Sequence, residues 1–418
     1  MTQTAALARR LGTGDAVVVG LGSMIGAGVF AAFAPAAAAA GSGLLIGLAL
    51  AASVAYCNAV ASAQLAAQYP TSGGTYVYGR ERLGEWWGFL AGWGFVVGKT
   101  ASCAAMALTV AAYAVPGRDW LQRLVAVAAV LALTAVNLRG ITRTAGLARI
   151  LVAGSLAALA VVVVAIFGSG GGSGANVSLG ELRGGAYGIL QSAGLLFFAF
   201  AGYARVATLG EEVREPQRTI PRAITLALGM TVAIYVIVGA AALFAVGPAA
   251  LAASATPLAT AVEGVDAAWA VPIVRVGAVV ASLGALLALI AGIGRTTLAM
   301  ARNGDVPRSL AAIDPRFQVP HRAELAVATA VAVLVLTIDV RGAIGFSSFG
   351  VLTYYAIANA AAWTQRGESR RWPRALNAIG LAGCLVLVAT LPLGSVVAGL
   401  AVLAAGFGWR LAILRRTP

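Results

Sequence analysis

Long apolar runs alternate with short polar connections along the chain, and the length of those runs is the first constraint. A hydrocarbon core takes about 20 mainly apolar residues per helix. By that measure twelve spans are predicted, near 15–36, 43–66, 86–114, 120–138, 146–168, 185–210, 222–246, 270–300, 323–339, 343–363, 375–391 and 393–411. A bilayer admits helices or closed barrels, and runs of this length are helices. The expected fold is an all-α integral membrane protein, with one transmembrane domain over residues 1–418. The small residues Ala36–Ala40 would suit cleavage of the first run as a signal peptide. Eleven further spans and a Gly-rich break inside the first predict a retained helix.

Composition agrees with this reading: 60% of residues are hydrophobic and 11% charged, where a soluble domain is about a quarter charged. A disordered chain, a secreted disulfide scaffold and a cytosolic enzyme are excluded. The 29 Lys+Arg against 15 Asp+Glu give a net charge of +14, which in a soluble protein would suggest nucleic acid. Here position decides. If the N-terminus is cytoplasmic, that side receives twenty-two arginines, from Arg9 and Arg10 through Arg143 to Arg415 and Arg416. The opposite side holds five: Arg118, Arg123, Arg183, Arg275 and Arg341. This is a positive-inside pattern. It predicts a multi-pass protein of the cell membrane with both termini cytoplasmic, whose partner is lipid and not nucleic acid. Cys57, Cys103 and Cys384 fall within spans without metal spacing, and His321 stands alone; no metal or cofactor is expected. The segment GSGGGSG (168–174) reads as an external linker, and Asn176-Val177-Ser178 matches a glycosylation sequon.

Two spans are interrupted. The first carries Gly22-Ser23-Met24-Ile25-Gly26-Ala27-Gly28, and each glycine weakens a helix by about 1 kcal/mol relative to alanine. Close helix packing through Gly22 and Gly26 is one reading. The sixth span carries Phe197-Phe198-Ala199-Phe200-Ala201-Gly202-Tyr203-Ala204, a second small-residue interruption. Broken helices at corresponding places in two five-helix halves point to a transporter site. Half-helix ends leave N–H groups for a carboxylate and carbonyls for an ammonium. A zwitterionic amino acid offers both.

Four motifs in order make the sequence similar to the amino acid–polyamine–organocation (APC) permeases, which have the LeuT-type fold. They are GSMIGAGVF (22–30), PTSGGTYVYGRERLGEWWGFLAGW (70–93), FFAFAGYARVATLGEEVREPQRTIPRAI (197–224) and MARNGDVP (300–307). The last three are largely structural, with Glu211, Glu212, Arg218 and Arg222 as cytoplasmic charges. The resemblance implies inverted repeats over 15–168 and 185–363, two additional helices over 375–411, and alternating access. It implies a substrate site at Met24, Ile25, Gly26, Ala27, Gly28, Phe198, Ala201 and Gly202. The carboxylate would meet the N–H groups of Ala27 and Gly28, and the ammonium the carbonyls of Met24, Phe198 and Ala201. Phe198 matches the aromatic gate; simple packing is the other reading of Phe198 and Phe200.

Two departures bear on substrate and coupling. Ala204, followed by Arg205, stands where many members carry an acid, which argues for neutral, zwitterionic cargo over cations. Arg205 either senses an anion or pairs near the cytoplasm. Proton-coupled members often hold a lysine in span five, where this chain has Ser155. Span eight (285–292) lacks hydroxyls suited to sodium. The only lysine, Lys99, lies roughly 20 and 25 Å from the ends of its span at 1.5 Å per residue. Burying its charge there costs about 3 kcal/mol, and desolvation works against the charged form. Lys99 is therefore a candidate for proton coupling; the alternative is a permanent cation bonded to carbonyls freed by the broken helices. The expected function is secondary active amino acid transport, proton-coupled or by exchange, with no enzymatic role. A polyamine or other amine permease, an exporter and a channel are the alternatives, the last lacking a filter sequence.

Overall fold

A computed structural model describes residues 11–70, 73–140, 144–178, 182–209 and 212–415. Arg9, Arg10, Arg143, Glu211 and Arg416 fall outside the described residues. The chain is a bundle of helices, and among the described residues the only β-type pairings are isolated bridges, Leu11 with Val213 and Gly41 with Leu182.

The first span is three helical pieces, α1 (Thr13–Met24), α2 (Ala27–Ala31) and α3 (Phe33–Ala40). The Asp15 carboxylate accepts from the Gly12 N–H at 3.2 Å and also pairs with Arg149, anchoring the start of α1. The chain continues through α4 (Leu44–Gln68), α5 (Thr75–Leu83), α6 (Glu85–Ala114), α7 (Asp119–Leu138) and α8 (Thr144–Ser169). The sixth span is α9 (Gly185–Phe200), a 3₁₀ turn (Ala201–Tyr203) and α10 (Ala204–Ala207). Next come α11 (Pro216–Ala253), α12 (Pro257–Glu263), α13 (Val271–Arg302), α14 (His321–Thr337), α15 (Val340–Trp363), α16 (Arg374–Thr390) and α17 (Leu393–Leu414).

Nine of the described segments are long and apolar enough to cross a membrane. At the other three predicted places the chain is also helical. There α14 and α16 have 17 residues each, and α15 carries Ser347, Ser348, Thr353 and Asn359 among its apolar residues. The seventh span starts earlier than the apolar pattern suggests, at Pro216, and Gly247 (φ 72°, ψ 172°) breaks α11 before its final turn. Helix α5, between spans two and three, is short and polar enough to escape a search for apolar runs.

The packing places α6 at the centre, against α13, α15, α7 and α14, while α4 lies against α9, α11 and α15. Helices α7 and α17 are peripheral, and they turn Trp120, Leu124, Leu131, Leu393, Val397 and Leu400 outward. Such faces are unremarkable for lipid contact, since acyl chains are as apolar as leucine.

A buried ionic cluster closes the arginine-rich side. Asp305, just beyond α13, pairs with Arg410 of α17 and accepts from the Tyr76 hydroxyl of α5 at 2.7 Å. Asn303 donates to that hydroxyl at 2.7 Å, and Arg80 lies 3.6 Å from Asp305. The Arg410 guanidinium lies over the rings of Trp86 and Phe89, at 4.9 and 5.0 Å, and 3.4 Å from Glu85. Burial and the Asp305 carboxylate push the Tyr76 phenol up to about 12, so it remains a donor at neutral pH. The cluster joins α5, α6, α17 and the end of α13, beside the apolar contact of Tyr76, Phe89, Met300 and Val306.

Removing one partner of a buried pair leaves an uncompensated charge, at a cost of about 3–5 kcal/mol. Arg410→Met is expected to lower the thermal unfolding midpoint in detergent by an amount of that order. The double variant Arg410→Met/Asp305→Asn should recover much of the loss; a midpoint unchanged in the single variant would remove the cluster's structural role.

Candidate functional site

The first break follows from a local turn. Ile25 (φ −80°, ψ 69°) has inverse γ-turn geometry, and the Gly26 N–H donates to the Met24 carbonyl at 2.9 Å. Gly26 (φ −119°, ψ −141°) also lies outside helical geometry, and α2 resumes at Ala27. The second interruption is gentler: after Phe200 the α-helix tightens into a 3₁₀ turn, with the Ala201 N–H donating to the Phe198 carbonyl. Sequence reading treated the two breaks alike. Only the first leaves helical geometry.

The two broken spans touch through glycine. A Cβ at Gly28 would lie 2.6 Å from the Cα of Ala199, and one at Gly202 would lie 2.1 Å from the carbonyl oxygen of Ser23. Their backbones meet where any side chain would collide. Between them the Tyr235 hydroxyl of α11 lies 2.6 Å from the Met24 carbonyl oxygen and 3.1 Å from that of Ala199. On the other side, Lys99 Nζ donates to the Ala201 carbonyl oxygen at 2.9 Å, and the Tyr355 hydroxyl reaches the same oxygen at 3.4 Å. A carbonyl has two lone pairs, and both kinds of donor are accommodated.

Beside this crossing lies a cleft bounded by α1, α6, the sixth span and α13. Ser23, Phe95, Lys99, Ser102, Phe198, Ala201, Gly202, Arg205, Ala285, Arg295 and Thr296 are among its lining residues. From Ala285 to Thr296 it follows α13 for about 16 Å, at 1.5 Å per residue. Its inner part is apolar, with Lys99 as the charged exception. Its outer part carries Arg205 and Arg295, which stand 3.9 and 3.8 Å from the same Glu212 oxygen. Arg205 also donates to Thr208 at 3.1 Å.

The structure thus gathers Phe198, Ala201, Gly202, Lys99 and Arg205 around one space. Met24, Ile25, Gly26, Ala27 and Gly28 are buried immediately behind it, at the helix crossing. Ser155 is placed elsewhere: its hydroxyl donates to the Leu151 carbonyl of its own helix at 2.7 Å, and it is not among the cleft residues. Sequence reasoning missed Tyr235, Tyr355, Arg295 and the Ser102–Ser347 hydroxyl pair at 2.6 Å. The signal available for the tyrosines was their polarity within apolar spans; their targets required the fold. Among the described residues no three His, Cys, Asp or Glu side chains gather as metal ligands.

Long apolar helices around a largely apolar cleft that carries a few cations, with two backbones interrupted at its inner wall, define a membrane transporter. The chain belongs to the amino acid permease family, whose model matches residues 11–408. It is 61% identical over 413 residues to an uncharacterized transporter of Mycobacterium tuberculosis (strain ATCC 25618 / H37Rv), covering 98% of this chain and 93% of that protein. It is 27% identical over 398 residues to the branched-chain amino acid permease BcaP of Bacillus subtilis (strain 168), covering 90% and 84%. It is 30% identical over 378 residues to the vacuolar cationic amino acid transporter 2 of Arabidopsis thaliana, covering 84% of this chain and 59% of that protein.

The glycine contacts generate a prediction. Gly202→Ala forces a methyl group against the Ser23 backbone, and overpacking of this kind costs about 1–3 kcal/mol. The variant is expected to lose stability and substrate uptake in reconstituted vesicles. Gly229→Ala, where nothing lies within 4 Å of the new methyl, serves as the control and should retain both.

Proposed function

We propose that the chain is a secondary active transporter that moves amino acids across the cell membrane by alternating access. In this reading twelve spans form inverted five-helix repeats over 15–168 and 185–363, followed by the two helices over 375–411. Both termini face the cytoplasm, so the cleft with Arg205 and Arg295 opens inward. One observation carries the proposal: two interrupted spans cross at the inner wall of a cleft, with backbone carbonyls already engaged by a lysine and two tyrosines. Groups that change partners as helices move are what a carrier needs. The permease family and relatives named for branched-chain and cationic amino acids support amino acids as cargo.

The cargo α-carboxylate would reach the start of α2 at Ala27 and Gly28 once the helices part. The ammonium would take the carbonyls of Met24, Phe198 or Ala201 from their present donors. Phe198 serves as the gate between cleft and crossing. Ala204, in place of an acid, favours cargo without a second positive charge. Transport is driven by protons or by exchange, and Lys99 is the coupling residue: its bond to the Ala201 carbonyl ties α6 to the sixth span, and a change in its charge would alter that tie.

The test is purified protein in proteoliposomes, screened with a labelled amino-acid panel under an imposed pH gradient and with internal counter-substrate. Saturable uptake with counterflow is expected, and unsaturable flux without counterflow would mean a channel. In Lys99→Ala and Lys99→Gln, acceleration by the pH gradient should disappear; acceleration equal to that of the parent would end the coupling role.

A further inference from the structure

The charges facing the cleft are of one sign. Lys99, Arg205 and Arg295 line it, and among the described residues no carboxylate does. Among the described residues Arg205 and Arg295 share a single acid, Glu212, at 3.9 and 3.8 Å, and by that count this outer pair keeps a surplus positive charge. Lys99 is buried, with 6% of its surface exposed. Its polar partner is a neutral carbonyl oxygen, Ala201 O. Among the described residues the ion pairs all join arginines to Asp or Glu, and none includes Lys99.

Chemically this inverts what a cation site needs. The protein places its own ammonium on the carbonyl that a cargo ammonium would seek. An ammonium 2.9 Å from that oxygen must be displaced before another can bind. A carboxylate meets the opposite situation: it enters a passage of positive potential and finds an unpaired cation in a setting of low dielectric, where attraction is strong.

We infer that Lys99 is the counter-ion for a carboxylate of the cargo, and that the preferred cargo is an amino acid carrying a second carboxylate on its side chain. The inference rests on the reading of the cleft as an amino acid transport site and narrows its substrate class. The α-carboxylate and α-ammonium engage the helix crossing as in any zwitterion. The second carboxylate stays in the cleft and draws Lys99 Nζ from the Ala201 oxygen, replacing a neutral acceptor by a charged one. Arg205 and Arg295 favour approach of the anion from the arginine-rich side. A cargo with a side-chain ammonium faces three cations along the same route.

Counterflow in proteoliposomes of the full chain tests this without any ion gradient, using labelled glutamate, leucine and arginine. Glutamate is expected to have an apparent affinity at least about tenfold above that of arginine, a difference of about 1.4 kcal/mol, with leucine between them. In Lys99→Gln the ratio of glutamate to leucine affinity should fall about tenfold, whereas Lys99→Arg, which keeps the charge, should retain more of it. If Lys99→Gln does not fold, ligand-dependent thermal stabilisation of the unaltered protein gives the same comparison, glutamate raising the midpoint more than leucine or arginine. Leucine or arginine counterflow with no movement of, or competition by, glutamate would overturn the inference and leave the carrier reading standing. An unchanged glutamate-to-leucine ratio in Lys99→Gln would overturn it too. Counterflow of no amino acid in the panel would defeat the carrier reading, and this inference with it.

Discussion

Inside hydrocarbon, every backbone N–H and C=O must find a partner within the protein, because no water is present to supply one. An unbroken helix meets this rule automatically. A helix that stops at Met24 and resumes at Ala27 does not. Much of the architecture around the crossing can be understood as the response. Tyr235 reaches across from α11 to the carbonyls of Met24 and Ala199, and Lys99 and Tyr355 converge on Ala201 from α6 and α15. Tyr113 of α6 donates to the Phe30 carbonyl at 2.8 Å, tying the short piece after the break in the same way. Lys99, Tyr113, Tyr235 and Tyr355 are therefore placed where the interrupted backbone asks for donors.

Much of this was legible in the chain itself. Apolar runs located the helices because a bilayer leaves so few alternatives, and the glycines of 22–28 located the first break because no helix carries that many cheaply. The second interruption was read as deeper than it is. Ala201-Gly202-Tyr203 has one glycine, and a 3₁₀ turn accommodates it without leaving right-handed helical geometry. Two readings of Lys99 stood open, a coupling residue and a permanent cation on a freed carbonyl; its bond to the Ala201 oxygen is compatible with both. What composition could not convey is mutual position. Asp305 lies in a motif read as a structural turn, and Arg410 was counted as one arginine of a cytoplasmic set. Their meeting depends on α17 returning to α5 and α6, a long-range contact that leaves no periodic trace.

The two charged regions make a useful contrast. At Asp305 and Arg410 opposite charges are buried together with hydrogen bonds and aromatic faces, an arrangement that fixes one geometry. At Lys99 a single charge is buried with a neutral acceptor. The first is a closed account between its partners, whereas the second leaves its ammonium open to a better partner. A molecule that must hold one end firm while the other exchanges contacts would distribute its charges in this way.

The replacement of lysine by arginine everywhere except position 99 has a practical consequence. Lys99 carries the only side-chain ε-amine in the chain, and guanidinium groups resist the acylating reagents that modify amines. At a fixed pH, the rate at which a small acylating probe adds to that nitrogen therefore measures how often it is uncovered, released from its carbonyl and free of its extra proton. Ordinary amine chemistry becomes a clock for the opening of the cleft, with no engineered label required.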